Sequence, residues 1–322
     1  FLPLTDRDVN TLWGRMNKTV GRVYLTDIYN VIHSEFVPLF NPFQSYFDHL
    51  PSWDGVSDPI GDLADTVHVK SDQAEFRDYF RKWFVGILPA LLDDTVVNHE
   101  ILVLIGEQGL YKTTWFNFLL PPELRCYFYT KTNSDRLNKD DLFSLTEFAL
   151  ICFEELDGMR PAELNQLKAM VTMPYVNERA AYGRNKERHP HIASFCGTGN
   201  NVQFLTDPTG NRRWLPFEVS QIRDPHLHAI PYELVYSQAY ALWKSGFCHW
   251  FSQEEIRKLN MHNSRFEVPN LEEDLIRTHF RKPFEGEAGI FVTAADILEQ
   301  ISSCLRYPLS PNKIGRIMAG LE

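Results

Sequence analysis

Residues 101–120 read ILVLIGEQGLYKTTWFNFLL: an apolar run, a glycine turn ending in Lys112-Thr113, and a helix-like stretch. A short apolar run bounded by a turn predicts a buried strand, and the segment after it predicts a helix, so the turn sits at a strand-to-helix junction. Backbone N–H groups of a glycine-rich turn can close round a polyphosphate, and a helix start directs its positive dipole end at the same anion. This spacing assigns Gly106, Gln108, Gly109, Tyr111, Lys112, Thr113 and Thr114 to a nucleotide site for ATP. Lys112 would reach the β and γ phosphates, and Thr113 would hold Mg²⁺. The pattern G-x-x-x-x-G-K-[ST] is broken at its second glycine, where Tyr111 stands, and Gly109 comes two residues early. A turn with a purely structural role is the alternative.

Outward from this junction, apolar runs at residues 126–130, 148–153, 192–196 and 213–219 alternate with helical segments. Continuous apolar strands suit a parallel sheet covered on both faces. The expected fold class is α/β, a P-loop NTPase core over 99–222 with a parallel sheet and flanking helices. A helical region is expected over 1–98, a helical extension over 223–266, and a small winged-helix-like domain over 267–322.

A chain of 322 residues with 44% apolar content can bury a large core. Its five cysteines are scattered and form no C-x-x-C pair, which argues against a disulfide scaffold or zinc site and for a reduced, cytoplasmic setting. No apolar run approaches the ~20 residues of a membrane span, so no membrane partner is expected. The net charge of −10 argues against a general nucleic-acid coat, yet Arg179, Arg184, Lys186 and Arg188 gather between Tyr175 and His191. Basic side chains mixed with aromatics suit single-stranded DNA, although a charge run is also an ordinary solvated face. The chain starts at Phe1, so an excerpt of a longer protein is expected.

The strand at 148–153 runs into Glu154-Glu155-Leu156-Asp157-Gly158. An acidic strand end beside a phosphate turn supplies a metal ligand and a base for water, so Glu155 is the candidate base and Glu154 the residue nearer the metal. Alone, EELDG could simply start the next helix. The strand at 192–196 ends in GTGNN, where Asn200 is the candidate contact to the γ-phosphate and the attacking water, though this is also ordinary turn composition. Arg212 and Arg213 precede the last strand. In oligomeric ATPases an arginine from a neighbouring subunit offsets transition-state charge, and either could serve, the other making an intrachain ion pair.

The order of phosphate turn, EELDG, KAMVT, YGR, GTGN and DPTGNRRW closely resembles the virulence-associated protein E family, over about Trp53 to Val219. These are mobile-element and phage replication proteins related to superfamily 3 helicases. The resemblance implies a ring ATPase core with Lys112, Thr113, Glu155, Asn200 and Arg212 or Arg213 in the roles above. It makes Lys186 and Arg188 DNA contacts on a pore hairpin, and it matches Lys168 to a family lysine that faces a neighbouring subunit. A primase domain or protein is a common companion in the family. Tyr111 and Asn177 depart from the family pattern. The expected function is an ATP-dependent DNA helicase or translocase of a mobile element or phage. Set against it are a nucleotide-binding, DNA-associated scaffold without turnover and a small-molecule P-loop kinase.

Overall fold

In the computed structural model the described residues are 4–132, 139–178, 187–206, 211–269, 271–284, 286–302 and 311–320. Along the chain they form helices α1 (Asp6–Thr19), α2 (Leu25–Ile32), α3 (Pro42–Asp48), α4 (Pro59–Ala64), strand β1 (Val67–Val69), α5 (Gln73–Leu92), β2 (Ile101–Ile105), α6 (Lys112–Leu119), β3 (Phe128–Lys131), α7 (Lys139–Glu147) and β4 (Leu150–Phe153). Then come α8 (Pro161–Val171), β5 (Tyr175–Glu178), β6 (Glu187–Pro190), β7 (Ser194–Gly199), β8 (Trp214–Ile222), α9 (Tyr232–Lys244), α10 (Gln253–Asn263), α11 (Leu271–His279), α12 (Ala294–Ser302) and α13 (Pro311–Gly320). The chain divides into two compact units, residues 1–266 and 267–322.

The first unit is mixed α/β. Its six-stranded sheet has the order β1-β8-β2-β7-β4-β3. Neighbours pair in parallel from β8 across to β3, and only β1 runs antiparallel, against β8. Alternate residues of the parallel strands feed opposite faces. Leu102, Leu104, Cys152, Leu215 and Phe217 pack with α5, α6 and α9, while Ile101, Val103, Ile151, Phe195 and Trp214 pack with α8. Both faces are therefore apolar, which is why the strands read as continuous runs.

Asp72 caps α5 by accepting from Ala74 N–H, and the helix buries Phe76, Phe80, Trp83, Phe84 and Leu88 against the sheet. Each such side chain contributes about 1.5–3 kcal/mol of transfer free energy. The region 1–98 is not wholly helical, since Val67 and Val69 pair with Ile222 and Val219 across a bulge. A three-residue strand carries too little alternation to be recognised locally.

The second unit packs α11, α12 and α13 around Ile276, Ile297, Ile301 and Ile314. A capping box, in which Thr293 and Asp296 bond reciprocally, starts α12. Among the described residues this unit holds helices and no strand, so the wing of the expected winged helix is not seen.

Candidate nucleotide cleft

The turn after β2 needs unusual backbone. Gly109 has φ 85°, and Tyr111 has φ 60° and ψ 18°, a left-handed conformation that explains why glycine is the usual occupant. A Cβ on Gly106 would lie 2.9 Å from Val219 O, and Gly106 N–H donates to Gly199 O at 3.1 Å. Tyr111 is the N-cap of α6 and offers no side-chain cap, which leaves the first-turn N–H groups to other acceptors. Tyr111 is 42% exposed and lines the cleft.

Lys112 is buried, and its ammonium donates to Gly106 O at 2.6 Å, Glu107 O at 2.7 Å and Asn200 Oδ1 at 3.4 Å. Burial lowers its pKa, opposed by the Asp157 carboxylate. Thr113 donates through Oγ1 to Glu154 Oε1 at 2.8 Å. The cleft has about 350 Å³ of space and is lined by Gln108, Gly109, Tyr111, Lys112, Thr113 and Thr114, together with Glu154, Glu155 and Asn200. Leu110, Thr198 and Gly199 complete the lining.

These groups meet because β7 lies between β2 and β4, so three strand tips point the same way at one end of the sheet. Glu154 is anchored by its own N–H, which donates to Lys131 O at 3.0 Å. Glu155 follows with φ 55° and ψ 44°, a second left-handed residue that turns the chain sharply, and its side chain is exposed. Asp157, which the sequence argument passed over, accepts from the main-chain N–H groups of Asn200 and Asn201. The available signal was its place two residues after Glu155 in the quoted EELD.

The two arginines are not at this cleft. They occupy the turn Asn211–Arg213 before β8, whose first residue Trp214 pairs with Ile101 at the start of β2. A five-residue strand, roughly 16 Å, separates that end of the sheet from the glycine turn. Asn263 on α10 holds the turn by donating to Asn211 O at 2.8 Å and Trp214 O at 3.0 Å. Arg212 is exposed, whereas Arg213 is half-buried. Both line a pocket with His99, Glu100, His249 and Trp250. Burial pushes the Glu100 carboxyl up to about 7, against the pull of Lys82 and Arg213. Burial also lowers the Arg213 pKa, with repulsion from Arg212 adding to it and Glu100 opposing.

The basic hairpin forms as the antiparallel pair β5 and β6, with Asn177 opposite Arg188. Arg188 is exposed, and its guanidinium stacks 3.4 Å from the Tyr175 ring centroid. Arg184 and Lys186 lie outside the described residues. Lys168 is buried within its own chain in the last turn of α8. No helix among the described residues is long and apolar enough to cross a membrane, and none of their His, Cys, Asp and Glu side chains form a metal-binding group of three or more. Cys126, Cys152, Cys196 and Cys248 are free thiols.

The fold is similar to solved structures titled as the C terminal region of NrS-1. One, the apo structure of residues 305–718, superposes with TM-score 0.51 at 12% identity, covering 84% of this chain and 68% of that one. Two A-form apo structures of the same region give TM-scores of 0.45 and 0.40 at 13% identity, covering 72% and 68% of this chain and 56% and 45% of theirs. No curated protein matches the sequence significantly. Residues 48–268, which contain the whole sheet, the cleft and the arginine turn, match the model for the virulence-associated protein E-like domain. With most of its length inside that match, the chain belongs to the virulence-associated protein E-like family.

Proposed function

We propose that the protein is an ATP-hydrolysing, Mg²⁺-dependent motor that acts on DNA during replication of a mobile element or phage and works as a homo-oligomeric ring. The observation that carries this reading is the convergence of the β2, β4 and β7 tips, which gathers Lys112, Thr113, Glu154, Glu155 and Asn200 at one cleft. The triphosphate lies against the 106–113 turn, where backbone N–H groups and Lys112 meet its charge. Lys112 would exchange the carbonyls of Gly106 and Glu107 for phosphate oxygens.

Thr113 Oγ1 and Glu154 Oε1, 2.8 Å apart, are hard oxygen donors of the kind Mg²⁺ takes alongside phosphate. Bound there, the ion supplies charge neutralisation on the phosphate oxygens. Glu155 orients the attacking water and takes its proton, and Asn200 contacts the γ-phosphate. Arg212 is too far from its own cleft to act there, but a head-to-tail neighbour would present it to the next one, the geometry that closes rings. Arg213 stays in its own chain with Glu100. The Tyr175–Arg188 hairpin contacts single-stranded DNA through charge and stacking.

Phosphate release measured with Mg²⁺ and ATP, with and without single-stranded DNA, tests the reading. Hydrolysis that DNA stimulates, and that Lys112→Ala and Glu155→Gln each abolish, is expected; a clean preparation inert with every DNA tried would overturn it. The strained Tyr111 in place of glycine favours a second reading, a DNA-associated scaffold that binds nucleotide without turnover. Calorimetric ATP binding with no phosphate release would establish that one instead.

A further inference from the structure

Asp157 reaches from the tip of β4 to the tip of β7. Its Oδ1 accepts from Asn200 N–H at 3.1 Å and its Oδ2 from Asn201 N–H at 3.0 Å. Both donors are main-chain, so the carboxylate fixes the backbone from which the Asn200 side chain projects, through charge-assisted bonds. Strand β7 is shaped for this contact. A Cβ on Gly199 would sit 3.0 Å from Asp157 Oδ1, and one on Gly197 would sit 2.2 Å from Leu156 Cδ1, so only glycines let residues 156 and 157 approach this closely.

Asp157 also shares a short turn with Glu155, closed by Gly158 N–H donating to Glu155 O at 2.8 Å. On its other side Asn200 Oδ1 accepts from Lys112 at 3.4 Å. Lys112, Asn200 and the Glu155 turn are thus joined in one chain of contacts, in which Asp157 links Asn200 to the Glu155 turn.

We infer that Asp157 is a positioning residue that locks Asn200 to the Glu155 turn, so that both act on one substrate in fixed register. This rests on the reading of the cleft proposed above. A carboxylate is required: an amide offers a single acceptor oxygen and would set its NH₂ against the second N–H donor. Misplacement of a reacting group by about 1 Å costs on the order of a hundredfold in rate, which sets the scale of the effect.

The test is a double-mutant cycle of Asp157→Ala with Asn200→Ala, with Asp157→Asn as a second replacement that keeps size. Asp157→Ala is expected to lower kcat by about ten- to a hundredfold with KM for ATP within about twofold. The double variant should be no slower than Asn200→Ala alone. Amide exchange read in the same proteins should be faster at Asn200 and Asn201 in both Asp157 variants, with core-strand protection unchanged. Rate losses that multiply, or unaltered exchange at the two amides, overturn the inference while leaving the ATPase reading intact. A wild type that hydrolyses nothing overturns that reading and takes the inference with it.

Discussion

Thr113 and Glu154 meet across the cleft, the threonine hydroxyl after the glycine turn donating to the glutamate at the end of β4 at 2.8 Å. The contact joins residues 41 positions apart and sets two oxygen donors side by side where the cation is expected. Thr113→Val and Glu154→Gln should therefore each raise the Mg²⁺ concentration for half-maximal hydrolysis by about ten- to a hundredfold, with folding little changed. Metal titrations of phosphate release at saturating ATP check this; an unshifted midpoint in both variants removes the pair from the metal site.

Tyr111 holds a left-handed backbone with φ 60°. That conformation costs about 1–2 kcal/mol for a side chain, whereas glycine's extra unfolded-state entropy costs roughly 0.5–1 kcal/mol. Tyr111→Gly should be stabilising by up to about 1 kcal/mol in denaturant unfolding, and Tyr111→Val should be destabilising, because β-branched residues tolerate this region worst. A glycine variant less stable than wild type would mean that the ring makes contacts that outweigh its strain.

Arg212 and Arg213 should behave differently. Arg212→Ala is expected to lose hydrolysis while keeping ATP affinity, and mixing it with Lys112→Ala protein should restore part of the rate, since mixed neighbours then pair an intact cleft with an intact arginine. Arg213→Ala should chiefly alter stability, by removing one of the two cations, with Lys82, whose charge acts on Glu100. Absence of rescue at every mixing ratio would assign Arg212 an intrachain role.

Glu100 gives the fold a pH dependence of definite sign. Its carboxyl pKa rises on folding from 4.5 to about 7, so the folded state binds the proton more tightly and stability falls as pH rises across that window, levelling off above it. Glu100→Gln should gain on wild type by on the order of 2 kcal/mol between about pH 5 and about pH 8. Thermal unfolding of the two proteins at both pH values decides, and parallel curves would rule the effect out.

Arg188 is the described member of the basic hairpin. Arg188→Ala should weaken single-stranded DNA binding for all sequences and reduce the slope of log affinity against log salt by about one contact. Fluorescence anisotropy over a salt series measures both quantities; an unchanged slope leaves Arg188 a surface partner of Tyr175.

Much of the cleft was legible because its chemistry is local in sequence. The β2–turn–α6 segment declares itself through an apolar run and a Gly–Lys–Thr turn, and EELDG marks an acidic strand end. The Gly197 and Gly199 pair was not legible as a contact, since its composition is that of any turn. Its purpose is visible only once Leu156 and Asp157 lie over it. β1 has three residues, too few for a readable period, and its partner β8 lies far along the chain, Val67 pairing with Ile222. Lys168, noted only through the family resemblance, is buried, and no local pattern around it marks that burial.

By itself the sequence determined which segments form the buried strands and the glycine turn, and that the strands are covered on both faces, since backbone preference and apolar patterning act over a few neighbouring residues. Only the tertiary structure decided that β7 separates β2 from β4, that Asp157 grips the Asn200 loop, and that Arg212 stands at the far end of the sheet from its own cleft. Strand order and close approach arise from contacts between residues tens of positions apart, selected by how side chains fill a shared core, and no local pattern encodes them.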